Sequence, residues 1–135
     1  MIVADTNLLV GLYLPSSGTE IAERVLNKDP EWSVPLLWRS EFRNVLATGM
    51  RAGRLEFDLA LEVLTAAGRL VRENEYAVPD ERVLELAAAS GCSAYDCEFV
   101  ALAEGLNTFL VTSDRQVLKA FPEKAVAPEV FVGAT

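Results

Sequence analysis

Four acids in this chain stand where an acid needs a physical reason: Asp5, Glu41, Asp96 and Asp114. Asp5 opens Asp5-Thr6-Asn7, directly behind Ile2-Val3-Ala4. Asp114 closes Leu110-Val111-Thr112-Ser113-Asp114 in the same manner. Both follow short apolar, β-branched runs of the kind that form buried strands. Open α/β sheets bind ligands beyond the carboxyl ends of their strands, so both acids would face one edge. Glu41 lies four residues after Leu37 and four before Val45, and so shares a helical face with them. An ionised carboxylate inside an apolar stripe is costly unless a cation or strong donors stand near it. Asp96 follows Ser93 by three residues and precedes an apolar run, where a helix N-terminus favours an ionised acid.

Each acid also has an ordinary explanation. Asp5, Thr6 or Asn7 would cap the next helix. Glu41 would pair with Arg39 or Arg43 at the edge of its stripe. Ser93-x-x-Asp96 and Ser113-x-x-Gln116 both have capping-box spacing, which would leave Asp114 as a first-turn acid. The set says more than its members. Four gathered carboxylates repel, each raising the next acid's pKa, and a cation relieves them.

The rest of the composition narrows the chemistry. There is no histidine, which excludes Ser-His-Asp and Cys-His arrangements, histidine general bases and His-ligated zinc. The two cysteines, Cys92 and Cys97, match neither a redox pair nor a zinc knuckle and read as small buried side chains. Oxygen ligands alone select hard cations, chiefly Mg²⁺ or Mn²⁺. Two such ions would bring the formal charge of −8 to about −4 and create a local attraction for phosphate. That points to metal-assisted phosphodiester hydrolysis. The net charge excludes a surface that is basic all over, so RNA would need a local basic patch or bound cations.

These acids must be positioned by strands and helices in alternation. Ile2 to Ala4 is a strand, and the apolar residues from Leu8 to Leu14 suit a helix. Thr19 to Lys28 is helical and Asp29-Pro30 stops it. Trp32 to Val34 is a second strand, and Leu36 to Ala52 a long helix with Leu37, Phe42, Val45, Leu46 and Met50 inward. Phe57 to Val71 is another helix, with Leu59, Val63, Ala66, Ala67 and Leu70 inward. Glu75 to Val78 reads as a third strand, Asp80 or Glu81 to Ala89 and Ala94 to Leu106 as helices, and Phe109 to Thr112 as a fourth strand. Arg115 to Phe121 is a short helix. Val126 and then Val130-Phe131-Val132 are expected to supply the last strand. Strands separated by helices argue for a parallel sheet covered on both faces, an α/β domain. The length of 135 residues suits one domain. No apolar run approaches the ~20 residues that span a bilayer. No charged-then-apolar leader opens the sequence, which gives the expectation of a cytoplasmic protein without membrane contact.

Asp5-Thr6-Asn7 after a first strand, Ser40-Glu41-Phe42 on a long helix, Tyr95-Asp96 leading into Phe99-Val100-Ala101-Leu102-Ala103-Glu104, and Leu110 to Asp114 together resemble the PIN-domain ribonucleases. Within them they are most similar to VapC-type toxins of toxin–antitoxin pairs. The resemblance covers nearly the whole chain. It implies a PIN-like three-layer sandwich over residues 1–135, with a central parallel five-stranded sheet in the order 3-2-1-4-5. It implies that Asp5, Glu41, Asp96 and Asp114 are the catalytic, metal-binding acids of a Mg²⁺- or Mn²⁺-dependent endoribonuclease. Thr6, Asn7, Thr112 and Ser113 would support them. It further implies a homodimer and a small antitoxin protein that blocks the pocket. Arg39, Arg43, Arg115 and Lys119, with Arg51 and Arg54, are the cations expected near the RNA. Two rivals remain. A PIN-fold module that binds protein or RNA without cutting would not need to gather repelling acids. A phospho-receiver domain needs paired acids after the first strand, where this chain has one.

Overall fold

In the computed structural model, which describes residues 1–133, thirteen elements follow in order. They are β1 (Ile2–Ala4), α1 (Thr6–Tyr13), α2 (Thr19–Lys28), β2 (Trp32–Pro35), α3 (Trp38–Arg51), α4 (Phe57–Leu70) and β3 (Glu75–Tyr76). Then come α5 (Asp80–Ser90), α6 (Ala94–Gly105), β4 (Leu110–Val111), α7 (Arg115–Ala120), β5 (Ala125–Val126) and α8 (Pro128–Gly133). Ala134 and Thr135, which the single-domain expectation includes, lie outside the described residues.

The strands pair in parallel in the order β3-β2-β1-β4-β5, as expected. β1 is central, and its side chains alternate between faces as a pleated strand requires. Ile2 and Ala4 enter one core, with Leu9, Val25, Trp32, Trp38 and Phe42. Val3 enters the other, with Phe99, Val100, Leu110 and Val117. Both faces of the sheet are therefore covered, which explains why β1 reads as an unbroken apolar run. Burial of Trp32, Trp38 and Phe42 is complete, and full burial of a large apolar side chain contributes about 1.5–3 kcal/mol.

The parallel register fixes the site. Ala4 pairs with Val111, so the residues that follow them, Asp5 and Thr112, emerge side by side at the carboxyl edge. The sheet reverses its order of strand addition between β1 and β4, and the crevice at such a switch point is where α/β sheets hold ligands.

Three sequence expectations are corrected. Val130 to Val132 belong to α8, not to a strand. Pro128 takes the first helical position, where its fixed φ and missing N–H cost nothing. Lys28 on α2 then donates to the Phe131 carbonyl and lies 4.8 Å over its ring. Leu59 is 47 % exposed, and Ala60 takes the inward place on α4. The cap of α7 is Asp114 rather than Ser113. Asp114 Oδ1 accepts from the amides of Gln116 and Val117 at 2.9 and 3.1 Å. Cys92 and Cys97 are free and buried, as expected.

Candidate active site

Asp5, Glu41, Asp96 and Asp114 line one cavity of about 240 Å³ at the carboxyl edge of the sheet. Four different elements bring them there. Asp5 follows β1 and Asp114 follows β4, while Glu41 sits in the first turn of α3 and Asp96 in the first turn of α6. Thr6, Asn7, Asn44 and Val45 complete the wall.

The hydrogen bonds around the cavity hold the acids in place. Thr6 is buried and donates its hydroxyl to Glu41 Oε1 at 2.7 Å, joining α1 to α3. Thr112 is buried and donates to Asp5 Oδ2 at 2.8 Å. The same hydroxyl accepts the Asp114 amide at 3.1 Å. Ser93 caps α6, its hydroxyl accepting the Asp96 amide at 3.0 Å.

Capping does not account for all four. Asp5 occupies the cap position of α1 but makes no side-chain cap bond. Glu41 pairs with neither arginine offered to it: Arg39 turns to Glu75, and Arg43 folds back on the Arg39 carbonyl and Ser40. Ser113 is exposed and does not line the cavity. None of Arg39, Arg43, Arg115 and Lys119 lines it either.

The electrostatics are those of crowded, partly desolvated carboxylates. Burial pushes the Asp5 carboxyl above the usual range; hydrogen bonds from Thr112 and the Thr6 backbone oppose this, and Asp114 and Asp96 add to it. Burial also raises Glu41, against the Thr6 hydrogen bond and with repulsion from Asp5, Asp96 and Glu98. Asp96 is raised by burial and then by Asp114, with Ser93 opposing. In all three, burial is the largest cause and neighbouring carboxylates add to it. Among the described residues, no three acidic or thiol side chains form a ready-made metal cage. The acids share a cavity and feel one another's charge.

Sequence reasoning missed Asn44 and Glu98. Asn44 is three residues after Glu41 and thus on its face of α3, a spacing visible in the sequence. Glu98 is felt by Glu41 across α3 and α6, a relation only the fold reveals.

The PIN domain family model matches residues 2–124, nearly the full chain. The chain belongs to the PIN-domain family. This PIN domain is 33 % identical over 124 residues to Ribonuclease VapC3 of Pyrobaculum aerophilum, covering 90 % of this chain and 95 % of that one. Among solved structures, the PIN domain resembles PAE2754 from the same organism with a TM-score of 0.77 and 22 % identity. That match covers 98 % of this chain and 93 % of the other. A toxin–antitoxin complex from Klebsiella pneumoniae matches with a TM-score of 0.63 and 19 % identity, covering 95 % and 98 %. At these identities the two structures speak for the PIN fold.

Proposed function

We propose that this PIN domain is a Mg²⁺- or Mn²⁺-dependent endoribonuclease, the toxin of a toxin–antitoxin pair. The observation that carries the reading is the convergence of Asp5, Glu41, Asp96 and Asp114 on one cavity that, among the described residues, holds no cationic side chain. The likeness to Ribonuclease VapC3 over 90 % of the chain supports it.

The donor set fits a hard divalent cation: carboxylates from four elements, with amide and hydroxyl groups beside them. Asp5, Glu41, Asp96 and Asp114 would hold the ion. A divalent ion bound there supplies the acidity that makes water a nucleophile near neutral pH. The chain's own task is placement. Thr112 keeps Asp5 aimed by donating to Oδ2, and Thr6 keeps Glu41 aimed by donating to Oε1. Asn7 and Asn44 offer amide donors at the cavity wall for a phosphate oxygen. No side-chain nucleophile is needed, in keeping with a chain that has no histidine.

The antitoxin and a second copy of this chain are proposed partners. An apolar groove of about 600 Å³, lined by residues including Val10, Leu14, Leu55 and Leu59, opens beside Val45 and adjoins the acid cavity. A partner seated there would reach the acids. No helix among the described residues is long and apolar enough to cross a membrane.

Cleavage of RNA is measured with Mg²⁺, with chelator, and for Asp5→Asn with Mg²⁺. Cleavage only in the first is the expected result. Equal activity in all three overturns the reading. The absence of a ready-made cage favours one alternative, a PIN module that binds without cutting. A calorimetric titration without divalent-ion binding selects it.

A further inference from the structure

Helix α3 has a second charged face. Glu41 and Asn44 turn to the acid cavity. Arg39 is two residues before Glu41, roughly 200° around the helix, and lines a different cavity of about 460 Å³. Arg69 and Arg72, at and just beyond the end of α4, line it as well. Three of the chain's twelve basic residues thus surround one space in a protein of net charge −8.

One carboxylate, Glu75, shares that cavity, and its Oε1 is already engaged. It accepts from the Trp38 indole at 2.6 Å and from Arg39 Nη2 at 3.4 Å. Arg39 also lies 4.9 Å over the Trp38 ring. It rests against Gly68, where an added Cβ would stand 3.5 Å from Nη2. Its guanidinium is therefore held in place, with its other two nitrogens making no hydrogen bond among the described residues. Arg69 and Arg72 make no ion pair among the described residues.

A fixed guanidinium beside two unpaired ones suits phosphate, which arginine forks recognise in two-point geometry. We propose that this cavity binds backbone phosphates of the RNA strand whose scissile bond lies at the acid cavity. The proposal rests on the ribonuclease reading above. Arg43, folded against the Arg39 carbonyl at 3.3 Å, lies on the exposed side of α3 between the two cavities. The strand would cross α3 there, a span of about one helix diameter, 10–12 Å. The rival account is that Arg69 and Arg72 complement the negative end of α4. That account predicts a change in stability alone.

The test is binding of a fluorescent single-stranded RNA dodecamer, in chelator so that nothing is cut, across a series of salt concentrations. Arg69→Ala/Arg72→Ala is expected to weaken binding at least ten-fold at low salt. It should also flatten the slope of log K against log salt by about 1.4, two phosphates at ~0.7 each. The double lysine variant restores much of the slope. Arg24→Ala/Lys124→Ala removes the same charge from residues outside the cavity and retains the wild-type slope. Equal losses in both alanine pairs, or a fall in Tm of the arginine pair with RNA binding retained, overturn the proposal. Wild-type protein that cleaves RNA while the arginine pair binds normally sinks this inference alone. Wild-type protein that neither binds nor cleaves RNA sinks the ribonuclease reading with it.

Discussion

Thr112 donates its hydroxyl to Asp5 at 2.8 Å, across the β1–β4 pairing that sets the two residues side by side. The same oxygen accepts the Asp114 amide, so one buried hydroxyl links two of the four acids. A desolvated carboxylate depends strongly on its few donors, here the Thr112 hydroxyl and the Thr6 amide.

Thr112→Val keeps the shape of the side chain and removes the hydroxyl. It leaves Asp5 without its side-chain donor and the Asp114 amide without its acceptor. A loss of about 1–2 kcal/mol in stability is expected, together with at least ten-fold lower RNA cleavage. Thr112→Ser retains both bonds and should recover most of each. Denaturant unfolding and initial rates check this.

Asp5→Asn should separate stability from activity. Asp5 is partly buried, desolvated and repelled by Asp114 and Asp96, so its charge is unfavourable in metal-free protein. The amide removes that charge while Thr112 still finds an acceptor. Metal-free Tm should rise by roughly 2–4 °C while cleavage is lost. Calorimetry in chelator gives the answer, and a fall in Tm would contradict the electrostatic account.

The same crowding sets a pH dependence. Asp5, Glu41 and Asp96 have folded-state pKa values above their ordinary 3.8 or 4.5. The folded state then binds more protons than the unfolded state in the interval above those values. The stability these groups contribute is fully present below the unfolded pKa and is lost as pH rises through the folded one. Glu104, lowered by its hydrogen bond from Arg82, acts in the opposite sense. Comparing wild type with Glu41→Gln cancels such common contributions. In chelator, Tm of wild type relative to Glu41→Gln should decline as pH rises from the ordinary carboxylate range toward neutrality. Added Mg²⁺ should reverse the decline at neutral pH.

Gly91 ends α5 with φ 76°, a left-handed conformation that glycine adopts freely, and leads to Ser93 at the cap of α6. Gly91→Ala should cost about 1 kcal/mol, and Gly91→Asn less. Denaturant unfolding of the two variants checks the order.

The sequence was most legible where local chemistry and fold agree. Ile2 to Ala4 and Thr19 to Lys28 have the expected boundaries, because an apolar run and an amphipathic stretch bounded by Asp29-Pro30 leave few alternatives. The shared edge of Asp5 and Asp114 followed from strand-end geometry. Val130 to Val132 misled because β-branched residues favour strands locally, while packing of Phe131 against α2 decides the outcome. Leu59 misled because α4 is apolar beyond its buried stripe, and periodicity alone chose the neighbouring position. The arginine cavity was out of reach, since Arg39 and Arg69 meet only when α3 and α4 pack.

Mn²⁺ binding, followed by electron paramagnetic resonance on the full chain, bears on whether the four acids act together on a cation. Wild type should bind, and each of Asp5→Asn, Glu41→Gln, Asp96→Asn and Asp114→Asn should weaken binding at least ten-fold while remaining folded. Undiminished binding in all four folded variants, or none in wild type, contradicts the account.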